Sequence, residues 1–135
     1  MKLLLDINIL LDLFLQRHPW DGEAALLLSA VENGQPEGYV AGHTITTVHY
    51  VVARAKDRRV AAMAVTDLLR IVRVVPVEAA DFHQALVLGL SDFEDAVQVA
   101  AGLKIGADFV VTRDEKHFRG GPLPPRSPRE VLALL

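Results

Sequence analysis

Two short apolar runs in this sequence each lead into an aspartate, and a carboxylate in that position can do chemistry. The run at 3–5 ends in Asp6, and the run at 109–112 leads through Arg113 into Asp114. Apolar runs of this length are typical of strands that are buried on both faces of a parallel sheet. The carboxyl ends of such strands share one edge, where open α/β folds bind ligands. If the two strands are neighbours, we expect Asp6 and Asp114 to emerge at that edge together.

A second pair of acids begins the clearest helical pattern in the chain. Asp92 and Asp95 are three residues apart, so their side chains share one face of a helix that we predict over 91–103. Ser91 and Glu94 have the spacing of a capping box at its start. A helix that begins there can present Asp95 to the edge of the sheet where Asp6 emerges.

Carboxylates that converge in this way favour a metal site. They repel one another unless a divalent cation neutralises them. Oxygen ligands and the absence of cysteine favour Mg²⁺ or Mn²⁺ over zinc. Such a site can activate water and stabilise charge during phosphodiester cleavage.

Each acid also has a purely structural interpretation. Asp6 suits the N-cap of the helix that follows it. Asp92 and Asp95 suit the positive end of a helix dipole, and Asp114 suits a turn. The functional interpretation therefore depends on their expected convergence at one edge.

The elements that position these acids alternate between strand and helix. We predict strands at 3–5, 38–41, 71–77 and 109–112, and helices from residue 9 and at 23–32, 44–56, 60–69, 78–88, 91–103 and 129–135. Residues 122–128 are predicted to be a turn-rich connection. This alternation predicts a single α/β domain over residues 1–135, with three α/β/α layers and a central parallel sheet.

Composition limits the classes of protein that fit. The chain has 135 residues, of which 51% are hydrophobic and 23% charged, as in a globular domain with a real core. The absence of cysteine excludes disulfides and fits a reducing compartment, so we expect a cytoplasmic protein. No apolar run reaches the ~18 residues of a membrane span, so we expect no membrane contact. The net charge of −3 disfavours a purely electrostatic nucleic-acid binder, but bound cations can supply positive charge.

Three motifs occur in order along the chain: LDINILLD at 5–12, DFEDA at 92–96, and VTRD at 111–114 with Phe118. Together they resemble a PIN domain of the compact prokaryotic type found in VapC-like toxins. The resemblance covers essentially the whole chain. It implies a parallel sheet flanked by helices and a Mg²⁺- or Mn²⁺-dependent endoribonuclease that cleaves single-stranded or loop RNA. It also implies a toxin–antitoxin pair, with an antitoxin protein as partner, and a homodimer.

The resemblance assigns catalysis and metal binding to the acids already described. Asp6, Asp95 and Asp114 match the catalytic acids of the family, which bind the metal directly or through water. Asp92 matches an auxiliary acid that is present in part of the family, and it completes the expected set of metal ligands.

Neighbouring residues receive supporting roles from the same resemblance. Asn8 and Thr112 match polar positions that orient ligands and water. Arg113 flanks Asp114 and is the basic residue that we expect to contact substrate. One position departs from the family, because Thr47 stands where many members have a glutamate in the helix after the second strand.

This departure leaves a second function open, in which a catalytically degenerate PIN scaffold binds RNA or protein. Asp92 could also compensate for the missing acid. Another enzyme class, the haloacid-dehalogenase-like phosphatases, places a nucleophilic aspartate at the end of its first strand, as Asp6 is here. That class needs a second acid where Asn8 stands and a later catalytic lysine that has no match.

Other residues could contact a partner. Trp20 and Phe14 could stack a base or fill an antitoxin groove, or they could pack within the protein. His117 follows Asp114 closely and could touch substrate. The basic run at 54–59 could contact RNA phosphates or form a solvated helix end.

Overall fold

Five parallel strands form the centre of the structure, a computed structural model that describes residues 1–135. The strands are β1 (Lys2–Leu5), β2 (Glu37–Ala41), β3 (Arg73–Val75), β4 (Phe109–Val111) and β5 (Pro125–Arg126). Their order across the sheet is β3-β2-β1-β4-β5. The strand that leads into Asp6 is therefore central, and the strand that leads toward Asp114 is its immediate neighbour.

Helices cover both faces of this sheet, as the alternating sequence pattern predicts. They are α1 (Ile7–Phe14), α2 (Trp20–Glu32), α3 (Gly42–Ala55), α4 (Arg58–Ile71), α5 (Ala79–Val87), α6 (Phe93–Lys104) and α7 (Pro128–Ala133), with a 3₁₀ turn at Glu115–His117. The prediction of a three-layer α/β/α fold is confirmed. None of these helices combines the length and the apolar character needed to cross a bilayer.

The side chains of β1 alternate between the two layers, as the pleat of a strand requires. Leu3 and Leu5 pack in a large core with residues of α1, α2, α3, α4 and α7. Leu4 faces the other way and packs with Val99 of α6 and with Val110. Helix α5 covers α6 through Ala85, so these two helices form the second layer.

Helix α6 lies unusually close to the sheet, and Gly102 allows this approach. A Cβ atom on Gly102 would lie 2.7 Å from a methyl group of Leu123 and 3.1 Å from one of Leu4. At 2.7 Å something must shift, so a larger residue would displace the Leu123 side chain or the helix. The close approach brings the first turns of α6 to the end of β1.

Several predicted boundaries and caps differ from the structure, and three of the differences have identifiable reasons. The strand predicted over 71–77 is confined to Arg73–Val75, because α4 continues to Ile71 and Pro76 has no N–H to donate to the sheet. The connection predicted at 122–128 contains β5, a two-residue edge strand in which a proline is tolerated. The predicted capping box of Ser91 with Glu94 is absent. Asp92 caps α6 instead and accepts the Asp95 N–H at 3.0 Å, a bond that its negative charge strengthens.

Candidate active site

Asp6 follows β1 directly, and its side chain turns toward the sheet instead of capping α1. The sheet ladder extends past the strand ends, because the Asp6 N–H donates to the Val111 carbonyl at 3.0 Å. This places Asp6 beside Thr112, whose hydroxyl donates to Asp6 Oδ2 at 2.9 Å. Asp6 occupies the N-cap position of α1, as its structural interpretation predicts, but its side chain makes no capping hydrogen bond to that helix. Only 2% of the residue is exposed.

Gln98 connects Asp6 to the acid of α6. Its Nε2 donates to Asp6 Oδ1 at 3.0 Å and, more weakly, to Asp95 Oδ1 at 3.4 Å. Its Oε1 accepts the N–H of Ile7 at 3.0 Å. Gln98 was not predicted as a site residue. Its position one turn after Asp95, as a polar residue between Val97 and Val99, is the feature of the sequence that points to it.

The second acid, Asp95, is largely enclosed and carries a shifted pKa. Its side chain is 13% exposed, and its Oδ2 lies 3.8 Å from Nδ1 of His117. Burial, followed by the negative charges of Asp6 and Asp92, raises the pKa of Asp95 to about 7, while His117 opposes the rise. Asp95 therefore exchanges a proton near neutral pH.

The third acid, Asp114, lies on the loop that follows β4. Its N–H donates to the Thr112 hydroxyl at 3.0 Å, so the same hydroxyl fixes both this loop and Asp6. The side chain is 30% exposed. Burial raises the pKa of Asp6, and the charge of Asp114 adds to that rise, while the hydrogen bonds from Gln98 and Thr112 oppose it.

Asp6, Asp95 and Asp114 thus lie at one edge of the sheet, beyond the carboxyl ends of β1 and β4. Glu94 adds a fourth negative charge that the sequence analysis assigned only to capping. Burial raises the pKa of Glu94, followed by the charges of Asp92 and Asp6.

Asp92, Asn8 and Thr47, which were also considered from the sequence, lie outside the group formed by Asp6, Asp95 and Asp114. Asp92 is exposed and engaged as the N-cap of α6, although its charge is felt at Asp95. Asn8 is partly exposed in the first turn of α1. Thr47 lies in α3 and donates its hydroxyl to the His43 carbonyl at 3.2 Å. No carboxylate replaces the family's glutamate at that position.

Arg113 makes its main ion pair with Asp12 and also approaches Asp114, with 3.9 Å between its Nη1 and Asp114 Oδ2. Its Nε and Nη2 donate to the two carboxylate oxygens of Asp12 at 2.7 and 3.2 Å. The guanidinium stacks on the ring of Trp20, with 3.9 Å between its carbon and the ring centroid. Trp20 is 43% exposed, whereas Phe14 packs against the main core. Arg113 therefore anchors the loop after β4 to α1 and α2.

The donor set fits a hard divalent cation that keeps much of its own water. No three histidine, aspartate or glutamate side chains are grouped closely enough to hold a metal ion by themselves. Mg²⁺ is usually held by one or two carboxylates, water and substrate phosphate instead of a cage made only of protein. Such an ion would relieve the repulsion of Asp6 by the like charges of Asp95 and Asp114.

Neither cavity in the structure lies beside the acids. A cavity of about 580 Å³ lies at the opposite edge of the sheet, where Met1, Glu37 and Arg73 are among its lining residues.

Comparison with known proteins identifies the fold. The sequence model of the PIN domain matches residues 2–116. Ribonuclease VapC1 of Aquifex aeolicus is 24% identical over 125 residues, which cover 87% of this chain and 84% of that protein.

Solved structures show the same architecture. VapBC2 from Rickettsia felis, bound to a fragment of its promoter DNA, has a chain that aligns with a TM-score of 0.75 at 15% identity, covering 94% of this chain and 98% of that one. VapC20 of Mycobacterium tuberculosis, a toxin that cleaves the sarcin–ricin loop, aligns at 0.67 and 22% identity, covering 80% and 86%. A toxin–antitoxin complex from Klebsiella pneumoniae aligns at 0.68 and 23%, covering 93% and 96%. The chain belongs to the PIN domain family.

Proposed function

We propose that this chain is a Mg²⁺- or Mn²⁺-dependent endoribonuclease that cleaves single-stranded or loop RNA, and that it is the toxin of a toxin–antitoxin pair. The observation that carries the proposal is the shared position of Asp6, Asp95 and Asp114 at the carboxyl edge of the sheet. The relatives support it, since one is named a ribonuclease, one a loop-cleaving toxin, and two occur in toxin–antitoxin complexes.

In the proposed mechanism the acids hold the cation and the neighbouring side chains orient the acids. Asp6, Asp95 and Asp114 would be the ligands, and when bound the ion supplies Lewis-acid stabilisation of phosphate charge and a more acidic water. Thr112 fixes Asp6 through its Oδ2 and fixes the backbone of Asp114. Asp95 releases its proton near neutral pH, where it becomes available as a ligand.

Partners and location follow from the same proposal. An antitoxin protein would bind and silence the enzyme, and the active form would be a homodimer in the cytoplasm. Co-expression of this chain with the product of a neighbouring small reading frame tests the antitoxin. A stable complex with suppressed cleavage is expected, and free, unaffected cleavage would contradict it.

The decisive experiment measures cleavage of a mixed pool of structured and single-stranded RNA with Mg²⁺, with Mn²⁺ and with chelator. Wild type is compared with Asp6→Asn and Asp95→Asn. Asp67→Asn is the matched control, because Asp67 is an exposed acid of α4 paired only with Arg70. We expect metal-dependent products from wild type and Asp67→Asn and none from the other two. Undiminished cleavage by Asp6→Asn would refute the assignment.

A second candidate function is a catalytically degenerate scaffold that binds RNA or protein. The absence of a carboxylate at Thr47 favours it, because one acid of the family's set is missing. Folded, antitoxin-free protein that binds RNA without metal-dependent cleavage, and whose RNA binding is unaffected by Asp6→Asn, would support the scaffold and exclude the enzyme.

A further inference from the structure

Gln98 is a fully buried polar residue in the middle of α6, and three hydrogen bonds account for its presence there. Its neighbours Val97, Val99 and Ala100 are buried and apolar. Burying an amide among them is unfavourable unless its donors and acceptor are paired. Ile7, Asp6 and Asp95 provide those partners.

The orientation of this amide follows from its partners. The carboxylates of Asp6 and Asp95, when ionised, only accept hydrogen bonds, so they must face Nε2. The Ile7 N–H only donates, so it must face Oε1. Rotating the amide by half a turn would lose all three bonds and place an oxygen against two carboxylates.

We propose that Gln98 is a positioning residue for the proposed RNA cleavage, because one Nε2 orients the carboxylates of both Asp6 and Asp95. This inference rests on the proposed function. Asp6 lies 92 positions earlier in the chain than Gln98, whereas Asp95 lies on the same helix. The amide therefore joins the end of β1 to the first turns of α6 at the point where their acids meet.

The neutrality of Gln98 is central to this role. An arginine or lysine in its place would hold the two carboxylates but would also neutralise them and compete with a cation. Arg113 does this to Asp12, which it pairs through two hydrogen bonds. A glutamine orients carboxylates and leaves their charge for the ion. Partners that orient metal ligands in this way typically contribute about 10–100-fold to metal affinity.

Gln98→Met tests the proposal, since methionine has a similar volume and suits a helix. Val97→Ala is the matched control, because it weakens packing on the same helix without touching the acids. Mn²⁺ affinity is measured by electron paramagnetic resonance on both folded variants, and kcat and KM for RNA are measured in saturating Mn²⁺. We expect Mn²⁺ affinity to fall about 10–100-fold in Gln98→Met and to stay at the wild-type value in Val97→Ala.

Affinity for Mn²⁺ in Gln98→Met within threefold of wild type would overturn the proposal. If Gln98 merely stabilises the fold, the melting temperature should fall in both variants and the affinity for Mn²⁺ should stay unchanged in both. In saturating Mn²⁺ we expect kcat to fall about tenfold, with KM for RNA unchanged.

A measurement on the wild-type protein covers the case in which Gln98→Met does not fold. The side-chain amide of Gln98 is followed by ¹⁵N NMR during titration with Mg²⁺, with the amide of Gln35 at the opposite edge as control. We expect the Gln98 signals to shift and saturate while those of Gln35 stay still. A Gln98 amide that does not respond to saturating Mg²⁺ would refute the positioning role.

The two proposals fail in different ways. Wild-type protein that binds no Mn²⁺ and cuts no RNA refutes the nuclease and with it the role of Gln98. Wild-type protein that binds Mn²⁺ and cuts RNA, with Gln98→Met equal to it in both, refutes only the role of Gln98.

Discussion

Two buried aspartates, Asp6 and Asp12, lie at the start and within the body of the same short helix, and their surroundings are opposite. Asp12 is fully buried and receives two hydrogen bonds from Arg113, with Arg17 3.8 Å from its Oδ1. Asp6 is equally enclosed but receives only neutral donors, from Gln98 and Thr112.

This difference in hydrogen-bond donors indicates that Asp12 stabilises the fold, whereas Asp6 is available to bind a ligand. The charge of Asp12 is compensated inside the protein, so it connects α1 to the loop after β4. The pKa of Asp6 is raised by burial and by Asp114, which means that its ionised form lacks a compensating charge. Perturbed acids of this kind mark functional sites more often than paired ones do.

The largest effect that we expect from this comparison is on catalysis. Asp6→Asn keeps the shape and can keep the bond from Thr112, but its amide NH2 then faces Gln98 Nε2 and that hydrogen bond is lost. We expect the cleavage rate to fall by about three orders of magnitude, which corresponds to ~4 kcal/mol of barrier. The free energy of unfolding, measured in urea, should fall by no more than about 2 kcal/mol, because removal of the buried charge offsets part of the lost hydrogen bond. A variant that is equally active, or one that loses several kcal/mol of stability, would reverse the roles given to Asp6 and Asp12.

Removing the ion-pair partner of Asp12 is expected to lower stability. Arg113→Met leaves Asp12 buried with only the more distant Arg17, and removing one member of a buried ion pair costs about 3 kcal/mol or more. Urea unfolding measures the loss. The double variant Asp12→Leu with Arg113→Met is the control, and it should recover most of the stability because no charge remains unpaired. A single variant within ~1 kcal/mol of wild type would show that Asp12 does not need Arg113.

The sequence predicts the position of Asp6 better than its function. A short apolar run followed by an aspartate and a helical pattern locates Asp6 at the edge of a parallel sheet, and the structure confirms that location. Asp12 follows six residues later with no local feature that marks it as buried. Its partner lies 101 positions away, so only the tertiary fold distinguishes the two acids.

Long-range contacts explain most of what the sequence did not predict. In the sequence Gln98 has the features of an ordinary polar helix residue. Only the packing of α6 against β1 in the folded protein brings it into contact with Asp6. The expected contact of Arg113 with substrate stays a prediction, but its pairing with Asp12 and its stacking on Trp20 could not be predicted from its position beside Asp114. By contrast the order of strands and helices depends on local patterns, and it was largely predictable.

A smaller effect is expected in the dependence of stability on pH. The pKa of Asp95 is about 7 in the folded protein and 3.8 ordinarily. Between these values the folded state keeps a proton that the unfolded state has released, so stability falls as pH rises from about 4 to 7. A shift of one pKa unit corresponds to ~1.36 kcal/mol. Solvent screening of the partly exposed side chain reduces the total change in the free energy of unfolding to about 2 kcal/mol. In chelator, Asp95→Asn should therefore be more stable than wild type at pH 8 and similar to it at pH 4.5, as measured by urea unfolding. Equal stability at both pH values would show that Asp95 is not destabilised by its neighbours.

The smallest expected effect is the stabilisation of the resting protein by the ion itself. A cation that binds only the folded state at ten times its dissociation constant adds about 1.4 kcal/mol. The gain should be larger at pH 8 than at pH 6, because Asp95 must lose its proton before it can act as a ligand. Thermal unfolding with Mg²⁺ and with chelator measures the gain, with Asp67→Asn behaving as wild type and Asp6→Asn showing little response. An equal gain in Asp6→Asn would place the ion elsewhere on the protein, and the contrast between Asp6 and Asp12 would then no longer identify which acid binds it.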